Sequence, residues 1–244
     1  MNTIALLIQK ITIVPDEAAL SALLSSLRAR AAGHKIRIAF VNAHAVNLCC
    51  RDEAFLRDLL ACDYVFRDGS GMKLLYRLLK KEAGLNLNGT DLIPRILQAC
   101  KGEKVALLGT KQPWLNKAAG KIASMGLETA PVLDGFRPDD VYLRSLSDNK
   151  PALIVLAMGM PKQERIAGLI AGSVDFPCLI VCGGAILDFL GEKVPRAPRI
   201  FRRTGMEWLY RLLLEPKRLF RRYVLGNFIF MFRSTCFAWV SRAR

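Results

Sequence analysis

Two short stretches set polar side chains where buried strands should end. Residues 35–41 (KIRIAFV) form an apolar-rich run that leads into Asn42-Ala43-His44-Ala45-Val46-Asn47. Residues 63–66 lead into Arg67-Asp68-Gly69-Ser70-Gly71, with a helix expected over 72–82. A carboxylate at a strand end, between flexible glycines and before a helix, is placed to act as a general base. The same pattern suits an aspartate that caps the helix beside a turn glycine. Asn42 has the same two readings, a pocket amide or the cap of the helix that follows.

A third stretch, residues 152–191, repeats one arrangement. Apolar runs at 152–158 and 178–182 reach the glycine turns Gly159-Met160-Pro161 and Gly183-Gly184, and each turn opens into a helical pattern. Runs this apolar suit strands buried on both faces of a parallel sheet. Glycine lets backbone N–H groups approach a ligand, and the following helix N-terminus favours an anion. Adjacent crevices at strand ends are where an open α/β sheet takes nucleotides. Ordinary strand–turn–helix punctuation would produce the same glycines.

These residues need a scaffold of alternating strands and helices. A strand or short hairpin is expected over 4–14, then a helix from its cap Asp16 to Ala32, closed by Gly33. Asn88-Gly89-Thr90-Asp91 reads as a turn in which Thr90 or Asp91 caps a helix. Residues 104–108 form another buried strand that closes on Gly109-Thr110, with helices over 113–125 and 139–146. Beyond Pro195, leucines and aromatics near helical spacing alternate with arginines, and Pro216 should divide that segment into two helices.

The net charge of +15 is unevenly placed along the 244 residues. From Lys193 onward, thirteen Lys and Arg face only Glu207 and Glu215, a net +11 that leaves +4 for the rest. Such a tail should meet something anionic: nucleic acid, an anionic membrane surface or a diphosphate. Its basic, aromatic-rich, amphipathic character is that of a segment lying in a membrane interface. The most apolar stretch, 223–232, is short and followed by Arg233, so no membrane-spanning helix is expected. The N-terminal residues lack the basic region and cleavage site of a signal peptide. Seven cysteines without CxxC spacing suit a reduced, cytoplasmic protein. GxxxxGK[ST], GxGxxG, HExxH and DxD patterns are absent, and His34 and His44 are the only histidines.

In order, NAHAVN, RDGSGM, NGTDLIP, LLGT, GMPKQE, GGAILDFLGEKVPRAP and GMEWLYRLLLEPKRLFRRY resemble the WecG/TagA/CpsF family of bacterial glycosyltransferases, over about residues 2–224. The expected fold is α/β: a Rossmann-like, mostly parallel sheet flanked by helices. Residues 1–194 would be a catalytic core of two closely packed subdomains, with the nucleotide site mainly in 102–191. Residues 195–244 would be a basic helical appendage for membrane association and active-site closure. The resemblance implies transfer from a UDP-sugar to an undecaprenyl-diphosphate-linked saccharide, with inversion, without a metal and without a cofactor. It implies Asp68 as general base with Asn42 in the same pocket, and Gln163 against the donor. Gly109, Gly159, Lys162, Gly183, Gly184 and Asp188 would form the nucleotide cradle, and Arg211, Arg218 and Arg221 would come from the appendage. Some members carry Thr two residues before the pocket Asn; here that position is Phe40.

The chemistry of the residues agrees with that implication. A departing diphosphate needs positive charge, and arginine forks with helix N-termini can supply it where no metal motif exists. The partners expected are the UDP-sugar, the lipid-linked acceptor and the cytoplasmic membrane surface, with a homo-oligomer left open and no nucleic acid. The alternatives are a basic nucleic-acid-binding α/β protein, which needs an exposed basic groove and no pocket carboxylate, and an NAD-dependent oxidoreductase, which lacks its GxGxxG.

Overall fold

The computed structural model describes residues 2–242, apart from the side chains of residues 202 and 203. Its first half runs α1 (Thr3–Lys10), α2 (Glu17–Ala31), β1 (Lys35–Val41), α3 (Ala43–Cys49), α4 (Glu53–Leu60), β2 (Tyr64–Arg67), α5 (Ser70–Leu78) and α6 (Gly89–Ala99). It continues with β3 (Lys104–Gly109), α7 (Trp114–Ala123), β4 (Glu128–Leu133), α8 (Asp139–Asn149), β5 (Leu153–Ala157), α9 (Lys162–Ser173), β6 (Cys178–Cys182) and α10 (Ile186–Leu190). The appendage is α11 (Arg199–Arg203), α12 (Glu207–Leu214), α13 (Pro216–Phe220), a π-helical turn (Arg221–Leu225) and α14 (Gly226–Arg242).

The six strands form one sheet in the order β2-β1-β6-β5-β3-β4, and every pairing is parallel. The expected Rossmann-like α/β architecture is therefore what the chain adopts. Side-chain alternation explains the continuous apolar runs. In β1, Ile36, Ile38 and Phe40 enter the core layer with α2, α6, α7 and α10. Ala39 and Val41 enter the opposite layer, with α1, α3, α4, α5, α9 and Phe230 of α14. In β6, Cys178, Ile180 and Cys182 face one layer, Leu179 and Val181 the other. Burying each large aliphatic side chain contributes roughly 1.5–3 kcal/mol, so apolar contacts on both faces hold the sheet.

Several local expectations need correction. Residues 3–10 are helical, not a strand: Asn2 caps them, and Ile4, Leu7 and Ile11 are buried at helical spacing. Only Ile11 reaches the sheet, by a single parallel bridge to Val65. Asn88 caps α6 by accepting from the Asp91 N–H at 2.9 Å, in place of Thr90 or Asp91. Strand β4 has no counterpart in the expected elements, because this edge strand carries Pro131 and is only half-buried.

Pro216 does divide the appendage, standing at the first turn of α13 after α12 has ended. The helix does not stop near Arg233, however. Pro216–Arg242 is one 27-residue helical stretch, long and apolar enough by length and composition to cross a membrane. One of its sides instead packs on the core through Phe230, Ser234 and Ala238, spaced by four residues, against α3 and α5. Its outer side exposes Phe228, Phe232 and Trp239 at 76%, 67% and 74%.

Candidate active site

The carboxyl ends of β2, β1, β6 and β5 meet under the appendage and enclose two adjoining cavities, of about 430 and 230 Å³. Asn42, Asp68, Thr90, Phe189, Arg211 and Arg222 line both. The wall between the cavities is thus made of the acid, the amide and two guanidinium groups. The larger cavity extends over α5 and α14, toward Asn86, Asn88, Asn227, Trp208 and Tyr223. The smaller one lies over the turns at Gly159 and Gly183-Gly184 and reaches Asp188 and Arg218.

Asp68 follows β2, its N–H donating to the Val41 carbonyl at 2.8 Å. It does not cap α5: that position belongs to Gly69, at φ 87°, which makes no side-chain cap bond. Its carboxylate instead accepts from Asn42 Nδ2 at 3.2 Å. Loss of solvent pushes the Asp68 pKa up; the Asn42 bond and the charges of Arg222 and Arg211 pull it part of the way back. Asn42 satisfies both of its readings, because its Oδ1 also caps α3 through the Ala45 N–H at 3.1 Å. The cap therefore fixes the amide that aims at the acid. Behind Asp68, buried Arg67 holds the 83–86 loop by donating to the carbonyls of Ala83 and Gly84, both at 2.6 Å, and to Asn86 Oδ1. Asn86 Oδ1 in turn accepts the Gly69 N–H at 2.9 Å.

Gln163 joins the two glycine turns from beneath. Its Oε1 accepts the N–H of Gly159 at 3.2 Å and of Gly184 at 2.9 Å, and its Nε2 donates to Glu164 Oε1 at 2.8 Å. Gln163 and Glu164 are each 1% exposed. Burial drives the Glu164 pKa up to about 7, with the bond from Gln163 opposing that rise. Gly183 has no room for a side chain, since a Cβ there would lie 2.5 Å from Ile186.

Four cradle or appendage residues sit differently from one another. Gly109, at φ 154°, is a close-approach point: a Cβ would lie 2.3 Å from the Ala157 carbonyl oxygen, and it lines neither cavity. Its neighbour Thr110 donates to Asp188, which also pairs with Lys193 at 3.0 Å. Lys162 turns toward Gly135, donating to its carbonyl at 2.8 Å. Arg221 lines a third cavity beside the first two.

Arg222 escaped the sequence reading, although it borders all three cavities. It stands four residues after Arg218, on the same helix face, and that spacing could have selected it over Arg221. Burial lowers its pKa, opposed by Tyr223 and Asp68. The Nε atoms of Arg211 and Arg222 are buried and have no hydrogen-bond partner among the described residues. Arg211 lies over the Phe189 ring at 5.2 Å, and Arg218 is held by Glu215 at 2.6 Å. The appendage is fastened over the site by Ser70 Oγ to the Gly205 carbonyl, 2.9 Å, and by Asn47 Nδ2 to the Gly226 carbonyl, 2.6 Å. Phe40 is buried at the floor of the smaller cavity, 6.3 Å from the Phe66 ring.

Among known proteins, two relatives carry the name N-acetylglucosaminyldiphosphoundecaprenol N-acetyl-beta-D-mannosaminyltransferase. One, from Staphylococcus aureus (strain MRSA252), is 27% identical over 203 residues, covering 79% of this chain and 78% of its own. The other, from Staphylococcus aureus (strain NCTC 8325 / PS 47), is 26% identical over 202 residues with the same coverage, 79% and 78%. A family model described as Glycosyl transferase WecG/TagA/CpsF family matches residues 5–244, and this chain belongs to that glycosyltransferase family.

Proposed function

We propose that this glycosyltransferase moves a sugar from a UDP-sugar to a hydroxyl of a saccharide carried on undecaprenyl diphosphate, with inversion and without a metal. The observation that carries the reading is Asp68 in the shared wall of two cavities. The donor occupies the smaller cavity and the acceptor sugar the larger. The acceptor hydroxyl gives its proton to the Asp68 carboxylate as its oxygen attacks the sugar's anomeric carbon. The bond from that carbon to the diphosphate breaks, and its electron pair leaves with UDP. A single displacement of this kind inverts the anomeric centre. The raised pKa of Asp68 makes it a better proton acceptor than an exposed aspartate.

Arg211, Arg218 and Arg222 face the leaving diphosphate, and planar guanidinium forks match its oxygens. The orphaned Nε groups of Arg211 and Arg222 would gain partners there. Gln163 acts by holding the Gly159 and Gly184 turns, so their backbone geometry survives the passage of the nucleotide. Among the described residues no cluster of His, Cys, Asp and Glu could hold a metal ion. A nucleic-acid module fits less well, since these arginines converge on enclosed cavities that contain a carboxylate. The relatives' names make N-acetylmannosamine the first donor sugar to try and a diphosphoundecaprenol-linked N-acetylglucosamine the first acceptor.

Membrane contact follows from the outward stripe of α14. Leu225 at the end of the π-helical turn and Phe228, Ile229, Phe232 and Trp239 of α14 are exposed at helical spacing beside basic residues. A helix of that kind lies in the plane of an anionic leaflet, which here is the cytoplasmic one. The test is UDP release from UDP-N-acetylmannosamine with a lipid-diphosphate-linked N-acetylglucosamine acceptor in excess EDTA, with the product anomer read by NMR. Release of UDP with an inverted linkage is expected. Activity that vanished in EDTA and returned with Mg²⁺ would overturn the metal-free mechanism, and no release under either condition would overturn the donor.

A further inference from the structure

The third cavity, of about 450 Å³, lies between α3 and the appendage. Arg51, Arg221, Arg222 and Arg233 line it with His44, together with Arg218, which Glu215 pairs, and no carboxylate lines it. Among the described residues none of the other four arginines forms an ion pair. Their convergence is built, not incidental. Asn47, 3% exposed, accepts from Arg51 Nε on its carbonyl at 3.2 Å and from Arg233 Nη1 on its Oδ1 at 3.1 Å. One buried asparagine therefore aims a guanidinium from the turn after α3 and another from α14 at the same space. Like charges held so closely repel unless an anion lies between them. Burial together with Arg222 and Arg51 presses the His44 pKa down to about 4, so the imidazole stays neutral within this field.

The cavity's position restricts the anion. His44 and Arg222 are its common wall with the larger, acceptor-side cavity. It is also lined by Leu225 of the π-helical turn and Ile229 of α14, 50% and 41% exposed, which belong to the outward apolar stripe of the appendage. A ligand spanning from the acceptor cavity to that stripe must be polar at one end, anionic in the middle and apolar at the other. We propose that Arg51, Arg221 and Arg233 bind the diphosphate of the lipid-linked acceptor, in a cavity that adjoins the donor's and shares Arg218 and Arg222 with it. The assignment rests on the acceptor reading given above, and it adds Arg51 and Arg233 as substrate-binding residues.

Farnesyl diphosphate, with farnesol as the uncharged control, tests the site by calorimetry on the full chain. Farnesyl diphosphate should bind in the presence of saturating UDP with little change in affinity, and farnesol should not bind there. The double variant Arg51→Gln, Arg233→Gln should weaken farnesyl diphosphate by roughly tenfold or more, from the loss of charge-assisted hydrogen bonds, while UDP affinity stays the same. Displacement of farnesyl diphosphate by UDP, or unchanged binding in the double variant, would overturn the proposal. The competition arm uses the parent protein, so it decides even if the double variant does not fold. Vesicles of phosphatidylcholine with and without phosphatidylglycerol form a second arm. A variant that lost only its preference for phosphatidylglycerol would show a phospholipid headgroup site and overturn the acceptor assignment. Failure of UDP to bind at all would count against the donor reading alone.

Discussion

Replacing Glu164 by Gln should remove a loss of stability that grows as pH rises toward 7, and its size can be worked from the burial of that side chain. The carboxyl group is 1% exposed, its Oε2 has no hydrogen-bond partner, and its pKa rises from 4.5 to about 7. A carboxyl whose pKa is raised by folding holds its proton more tightly in the native state. Its share of stability is therefore whole below about pH 4.5, falls as the pH climbs toward 7, and levels off above that. At 1.36 kcal/mol per pKa unit the full cost is about 3 kcal/mol. For a chain of this size that corresponds to roughly 6–12 °C in Tm. His44 titrates in an overlapping window with the opposite sign, because its pKa is depressed to about 4 and its protonation destabilises the fold as pH falls. The difference between parent and Glu164→Gln profiles removes the His44 contribution, which both share. Thermal unfolding from pH 5 to pH 8 should show the variant gaining on the parent as pH rises. Its new amide can still accept from Gln163, so the glycine turns should keep their bridge. Parallel profiles over that range would refute the buried-carboxyl argument.

Three further outcomes follow from the same geometry. Arg222→Gln should weaken UDP binding by roughly tenfold or more, the loss of a charge-assisted bond, whereas Arg221→Gln should leave UDP affinity unchanged; calorimetry with UDP checks both. Phe228→Ser with Phe232→Ser should reduce sedimentation with phosphatidylglycerol vesicles at unchanged Tm, because both side chains are exposed. Gly183→Ala should cost activity through a displaced turn, since the new methyl would meet Ile186 and Ile93 at 2.5 and 3.0 Å; UDP release kinetics would show it.

Strands β1 and β6 were legible to the residue, because runs such as CLIVC are apolar on both faces and can only be central. Asp68 and Asn42 were legible too, as polar residues at the ends of such runs. Edge strand β4 was not, since half-exposed ETAPVL has neither alternation nor an apolar run. Residues 4–14 misled because Ile and Thr favour strands, whereas the burial of Ile4 and Leu7 on one helix face decided the outcome. The arginines show where local pattern runs out. Arg218 and Arg222 share a face by simple spacing, yet Arg51 and Arg233 lie far apart in the chain and meet only because α14 packs on α3. Gln163 was visible as a motif residue, while its role as a bridge between turns depends on β5 and β6 being neighbours.

The shared carboxylate is the centre of this account, and Asp68→Asn addresses it most directly. The substitution keeps the shape of the side chain beside Asn42 and removes the proton acceptor. In a single-turnover assay with saturating UDP-sugar and acceptor, the transfer step should fall by at least roughly 100-fold, the usual contribution of a general base. UDP affinity should stay within about threefold of the parent. A variant that bound UDP normally and transferred sugar at close to the parental rate would contradict the assignment of Asp68 as the base.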